Sequence, residues 1–178
     1  MSEYANDKDY DLLVAVMDGP GKADDFYTVM KSKEDAGAFQ IKEAATFTRD
    51  DKGKIKLNNK GYVAGWKGGG IGLGVGILLG GPVGFAAAGA AVGYLRGKDR
   101  RELRDKINNH LGLQQSAIAL MLDDPIDWDV VREMGKAFDA ELLYAELRGE
   151  TLAKVGELAE DEDVQKAFEE EFGEVVAE

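Results

Sequence analysis

A chain of 178 residues is long enough to bury one ordinary core. Its net charge of -12 and pI near 4.6 oppose nucleic-acid binding, which needs a basic face to displace counterions from phosphate. The absence of cysteine excludes disulfides, thiolate metal sites and cysteine nucleophiles, and the single histidine, His110, excludes a histidine-based triad and any multi-histidine metal site.

The opening MSEYANDKDYD is polar and acidic, with no apolar core behind a basic stub, so no secretory signal is expected there. The expected location is the cytoplasm or the cytoplasmic face of the inner membrane. Tyr10 to Met17, YDLLVAVM, is an apolar run closed by Asp18-Gly19-Pro20-Gly21, which predicts a mostly buried strand and a turn. Lys22 to Lys33 follows with Ala23, Phe26, Tyr27 and Met30 at helical spacing. Phe39 to Thr48 alternates at first through Phe39, Ile41 and Glu43 and predicts a second strand. The turn Asp50-Asp51-Lys52-Gly53 and the short strand KIKLNN complete a β-hairpin over Ala38 to Asn58.

The stretch that organises the rest is Gly68 to Leu95, GGGIGLGVGILLGGPVGFAAAGAAVGYL: twenty-eight residues without a charge in a chain that is 31% charged. Glycine recurs every fourth residue at Gly68, Gly72, Gly76, Gly80 and Gly84, and again at Gly89 and Gly93. On a helix these rows lie on one face and let a second backbone approach closely. Glycine costs an isolated helix about 0.8–1 kcal/mol per residue against alanine, so such rows make sense where tight packing or lipid offsets the loss. Gly80-Gly81-Pro82 breaks the run, which predicts a helical hairpin. A competing local pattern exists, because from Gly68 to Ile77 glycine also alternates with Ile71, Leu73, Val75 and Ile77 at the period of a strand.

Basic residues flank this run: Lys60 and Lys67 before it, and Arg96, Lys98, Arg100, Arg101, Arg104 and Lys106 after it. If the hairpin enters a bilayer, the positive-inside tendency puts both flanks on the cytoplasmic side. Spanning needs about 20 apolar residues per helix, and two legs supply roughly fourteen each. Trp66 beside Lys67 and Tyr94 beside Arg96 match the aromatic and cationic boundary of a bilayer, and equally suit partly buried positions in a protein assembly.

Beyond the hairpin, Leu95, Leu103, Ile107 and Leu111 mark the apolar face of a basic helix. Ser116 to Leu122 predicts a strand, Ile126 to Phe138 a helix carrying Ile126, Val130, Val131, Met134 and Phe138, and Glu141 to Leu147 a strand. A long acidic helix with Leu152, Val155, Leu158, Ala159 and Phe168 as its stripe runs from Gly149. VAVMDGPGKADDFYTVM (Val14 to Met30) and ALMLDDPIDWDVVREMG (Ala119 to Gly135) both read strand, Asp-x-Pro turn, helix, and each is followed by a strand. Two β-α-β units split by an insert predict an α+β, ferredoxin-like sheet with helices on one face.

The expected division of one single domain is a first β-α-β unit with its hairpin over 10–60, the glycine-rich insert over 61–97, the basic helix over 98–112, the second β-α-β unit over 115–148, and the acidic tail over 149–178. LLVAVMDGPGKADDFY, the DDKGKIKL turn, the run from Gly61 to Gly93 and SAIALMLDD give the chain, over about residues 10–147, a likeness to a family of small prokaryotic proteins of unknown function usually labelled predicted membrane proteins. That resemblance implies architecture, and carries over no catalytic residue.

Nucleotide-binding patterns fail on the residues. After Gly68, Gly70, Gly72 and Gly74 the third glycine of a G-x-G-x-x-G is replaced by Leu73, Val75, Ile77 and Leu79, and Gly97-Lys98 lacks both the first glycine and the final Ser or Thr of a Walker motif. Asp18, Asp123, Asp124, Asp127 and Asp129 follow equivalent strands. They are candidates for a cation-binding or acid–base cluster, against the plainer roles of turn and helix-cap residues. Glu160 to Asp163 lacks the glycine and ligand alternation of an EF-hand.

The expectation is therefore a non-enzymatic, self-assembling protein with no cofactor and no metal, whose partners are copies of itself. Gly68, Gly72, Gly76, Gly80, Gly84, Gly89 and Gly93 permit helix contact, and Ile71, Leu73, Leu78, Leu79 and Phe85 supply buried area. The alternative is a membrane-inserted, cytoplasm-facing protein with a ligand-binding or stress-related role.

Overall fold

The computed structural model describes residues 9–49, 51–52, 55–59 and 111–147, together with residue 162. Along these residues the elements are β1 (Tyr10–Asp18), α1 (Lys22–Asp35), β2 (Gln40–Arg49), β3 (Ile55–Asn59), β4 (Gln115–Asp123), α2 (Trp128–Ala137) and β5 (Glu141–Leu147). The strands form one sheet in the order β3-β2-β4-β1-β5, and every neighbouring pair is antiparallel. The class is α+β.

Direction follows from pairing. β1 and β2 are both antiparallel to β4, so they run the same way and α1 joins them; β4 and β5 are both antiparallel to β1, and α2 joins them. The turn after β2 does return the chain as β3, with Phe47 opposite Leu57 and Arg49 opposite Ile55.

The continuous apolar runs of β1 and β4 reflect burial on both sides of the sheet. One face carries Leu13, Ala15 and Met17 from β1, Ala44 from β2 and Ile118, Leu120 and Leu122 from β4; it packs against Ala23, Phe26 and Met30 of α1 and Val131 and Met134 of α2. The alternate residues of the same strands, Leu12, Val14, Val16, Ala45, Phe47, Ala117, Ala119 and Met121, lie on the opposite face with Leu143 of β5 and are no more than 7% exposed.

Two local details depart from the sequence pattern. Phe39, Ile41 and Glu43 do not share a face, because a bulge between Ile41 and Glu43 shifts the pairing from Leu122 to Met121 and sends Glu43 to the side opposite α1 and α2. The second helix begins at Trp128 and not at Ile126, because the Asp127 carboxylate accepts the Asp129 and Val130 amides at 3.1 and 3.3 Å and fixes the start there. At the other end of α1, Gly37 takes φ +85, and the Gly37 and Ala38 amides close onto the Glu34 and Lys33 carbonyls, the left-handed stop that glycine makes cheaply. The glycine-rich insert over 61–97, the basic segment up to residue 110 and, apart from residue 162, the acidic tail lie outside the described residues.

Candidate functional site

The aspartates proposed from sequence as a cluster are not one. Asp18 pairs with Gln115 at one end of the β1–β4 ladder, whereas Asp11 pairs with Leu122 at the other, beside Asp123. The equivalent strands are antiparallel, so equivalent turns fall at opposite ends of the sheet, roughly 25 Å apart at about 3.3 Å per residue. Four of the five have local partners. Asp18 accepts the Gln115 amide at 2.8 Å, Asp127 caps α2, Asp129 pairs with Arg132 at 2.5 Å, and Asp123 lies 3.7 Å from the Lys42 ammonium. Among the described residues no group of three or more His, Asp or Glu side chains is arranged to hold a metal.

What the pairing does assemble is an aromatic and acidic corner where β1 begins and β5 ends. Register sets Leu13 opposite Tyr144 and Ala15 opposite Leu142, on the helix side of the sheet. α2 crosses above them, and an open groove forms between its Trp128, Val131 and Arg132 and the sheet residues Leu13, Leu142 and Tyr144. Trp128 meets Tyr144 edge-on, with ring centroids 5.1 Å apart and planes at 90°, the arrangement that ring quadrupoles favour. Gly135 lets α2 come down this close, since a Cβ there would sit 2.6 Å from Leu142 Cδ1.

The Tyr144 hydroxyl donates to the Asp11 carboxylate across the β1–β5 pair. Burial pushes Asp11 above its ordinary 3.8; the Tyr144 hydrogen bond opposes that rise, and the carboxylates of Asp124, Glu146 and Asp123 add to it. Tyr144 is itself raised above its ordinary 10, first by burial, then by the hydrogen bond to Asp11 and by the charges of Asp11, Glu146 and Asp124. Tyr144 therefore keeps its proton, and the pair is a fixed donor and acceptor at the rim of an apolar slot. Such a slot accommodates an apolar or aromatic group. Tyr144 is half exposed and β5 is the last strand of the sheet, so the corner faces outward.

Sequence reasoning did not single out Asp11, Trp128 or Tyr144. Asp11 sits in an apolar run like any strand-end residue, and its partner is 133 positions away, so only the β1–β5 register brings them together. The residues proposed for oligomerisation or membrane contact, Trp66, Gly68, Ile71, Gly72, Leu73, Gly76, Leu78, Leu79, Gly80, Gly84, Phe85, Gly89, Gly93 and Tyr94, lie outside the described residues, as does His110. Among the described residues no helix is long and apolar enough to cross a membrane. The chain matches no protein-family model, no curated protein and no solved structure.

Proposed function

We propose that this protein is a self-assembling structural protein: a ferredoxin-like body carrying a glycine-zipper hairpin that is buried against the hairpins of other copies, in a ring or filament. The strand order β2-β4-β1-β5, antiparallel throughout with both crossover helices on one face, supports the ferredoxin-like reading, with β3 as an added edge strand. The observation that carries the function is the twenty-eight-residue uncharged stretch with glycine at every fourth position, set between β3 and β4. A surface of that size and composition needs a partner of its own kind or a lipid.

The test is particle size. The wild-type chain should elute from a sizing column as a large particle without detergent. Gly76→Leu, which places a bulky side chain in the glycine row, should elute as a monomer. An unchanged elution volume for the mutant rules the reading out.

The second reading, a hairpin dipping into the cytoplasmic leaflet, draws on Trp66 with Lys67 and Tyr94 with Arg96 at the ends of the stretch. Flotation with liposomes that is lost on deleting residues 68–95, in a protein that is small in detergent, would favour it over self-assembly.

A further inference from the structure

The sheet has a second apolar face that neither α1 nor α2 touches. Its residues fall in rows across the strands: Phe47, Ala117 and Val16; Ala45, Ala119, Val14 and Leu143; Glu43, Met121 and Leu12. Ala45, Ala117 and Ala119 lie in the middle of this surface with the larger Phe47, Met121, Leu12 and Leu143 around them, so by side-chain size it is a shallow trough. Glu43 stands in it only 2% exposed.

We propose that this trough is the seat of the chain's own basic amphipathic segment, residues 98–111, and not of the glycine-rich hairpin. The end of the segment is already fixed there. Leu111 is 2% exposed, and its carbonyl accepts the Arg49 Nε–H at 2.6 Å. Arg49 is two residues beyond Phe47 on β2 and shares its face, so this bond holds the Leu111 carbonyl at the edge of that face.

Running back from Leu111, Ile107 and Leu103 recur at a spacing of four and form a single stripe. As a helix at about 1.5 Å per residue the segment would run roughly 21 Å, against roughly 14 Å from β2 to β5 at about 4.8 Å per strand spacing.

Charge selects among the chain's own candidates. A carboxylate buried in an apolar floor requires cations or donors around it. Residues 98–111 bring Lys98, Arg100, Arg101, Arg104 and Lys106; residues 68–95 bring no charge, and the tail from Glu150 brings an excess of further carboxylates. The basic segment combines an apolar stripe for the floor with a run of cations that complements Glu43. Self-assembly is not required for this seating, but a trough filled by residues 98–111 leaves the hairpin without a seat on its own sheet.

Methyl-labelled full-length protein tests it directly. The expected result is NOE contacts from the Ile107 δ-methyl to the methyls of Val14, Leu12 and Met121, retained when labelled chains are diluted with unlabelled ones, which shows that they arise within one chain. NOEs to those methyls from Ile71 or Ile77 would assign the trough to the hairpin, NOEs from Leu152, Val155 or Leu158 to the tail, and NOEs that vanish on dilution to a second copy. Each of these results overturns the proposal, as does the absence of any NOE from Ile107. As an independent readout, Ile107→Asp should raise the fluorescence of a hydrophobic dye severalfold under native conditions, and an unchanged signal also overturns it. Particle size is measured separately, so failure here and failure of the assembly reading are distinguishable.

Discussion

The Ser116 hydroxyl accepts the Ala23 amide at 2.9 Å and donates onward to the Gly19 carbonyl at 2.7 Å, joining the start of β4 to the start of α1 across 93 residues of sequence. Gly21, the residue before α1, has no side chain to cap the helix, and Ser116 does that work from another strand. Ser116 is fully buried, so its removal leaves the Ala23 amide desolvated without a partner. Ser116→Ala should lower stability by about 1–3 kcal/mol, read as a fall in the urea midpoint with an unchanged slope. Asp127→Ala, which removes a solvent-exposed cap, should cost about 1 kcal/mol.

Gly135 and Leu142 set how closely α2 lies on the sheet. Alanine normally gains about 0.8–1 kcal/mol over glycine inside a helix, but here its Cβ would approach Leu142 Cδ1 to 2.6 Å and Cγ to 2.9 Å. Overpacking of this kind costs about 1–3 kcal/mol, so Gly135→Ala should be net destabilising. In a Leu142→Ala background the clash is gone and the same substitution should stabilise. A double-mutant cycle in urea measures this change of sign, and additivity of the two substitutions would contradict the contact.

The Asp11–Tyr144 pair makes stability depend on pH at both extremes. Asp11 titrates higher in the folded protein than in the unfolded chain, so the folded state holds the proton more tightly. Its contribution is present at low pH and is lost as pH rises from 3.8 through the raised folded value. Tyr144 is also raised, so its contribution is complete below pH 10 and is lost as pH rises above that, where the unfolded chain ionises first. Tyr144→Phe should therefore flatten the alkaline loss of stability relative to wild type. It should also move Asp11 further up, because the hydrogen bond that opposed burial is removed. Carboxyl carbon shifts of Asp11 followed against pH in both proteins check the second outcome.

The elements were largely legible in the sequence because apolar runs and turn residues mark them locally: Glu141 to Leu147 is read with the bounds that β5 has, and the Lys22 start of α1 also agrees. Partnership was less legible. Similar Asp-x-Pro turns after β1 and β4 suggested neighbouring carboxylates, yet the antiparallel ladder separates them, and nothing in either turn encodes the direction of the strand beside it. The bulge at Glu43 is invisible to a period-two count for the same reason, since it depends on what β4 presents. The corner formed by Asp11, Trp128 and Tyr144 was missed because its residues come from three elements and meet only once the register is set.

The two halves of the body, interrupted by more than fifty residues between β3 and β4, are held together partly by one aromatic contact between helices. Phe26 of α1 is fully buried and meets Phe138, at the end of α2, with centroids 5.2 Å apart and planes at 71°. Phe26→Ala removes a large buried ring and should cost about 3–5 kcal/mol. Part of that loss belongs to the pair: replacing both rings by leucine, singly and together, should give a coupling of about 0.5–1.5 kcal/mol. In the sheet β4 lies between β2 and β1, and β1 between β4 and β5, so β1 reaches β2, and β4 reaches β5, only through a strand of the other half. All variants should therefore unfold in one transition, with near-UV and far-UV signals coincident. Separate transitions in Phe26→Leu would mean that the halves are independent units and that the ring contact does not join them.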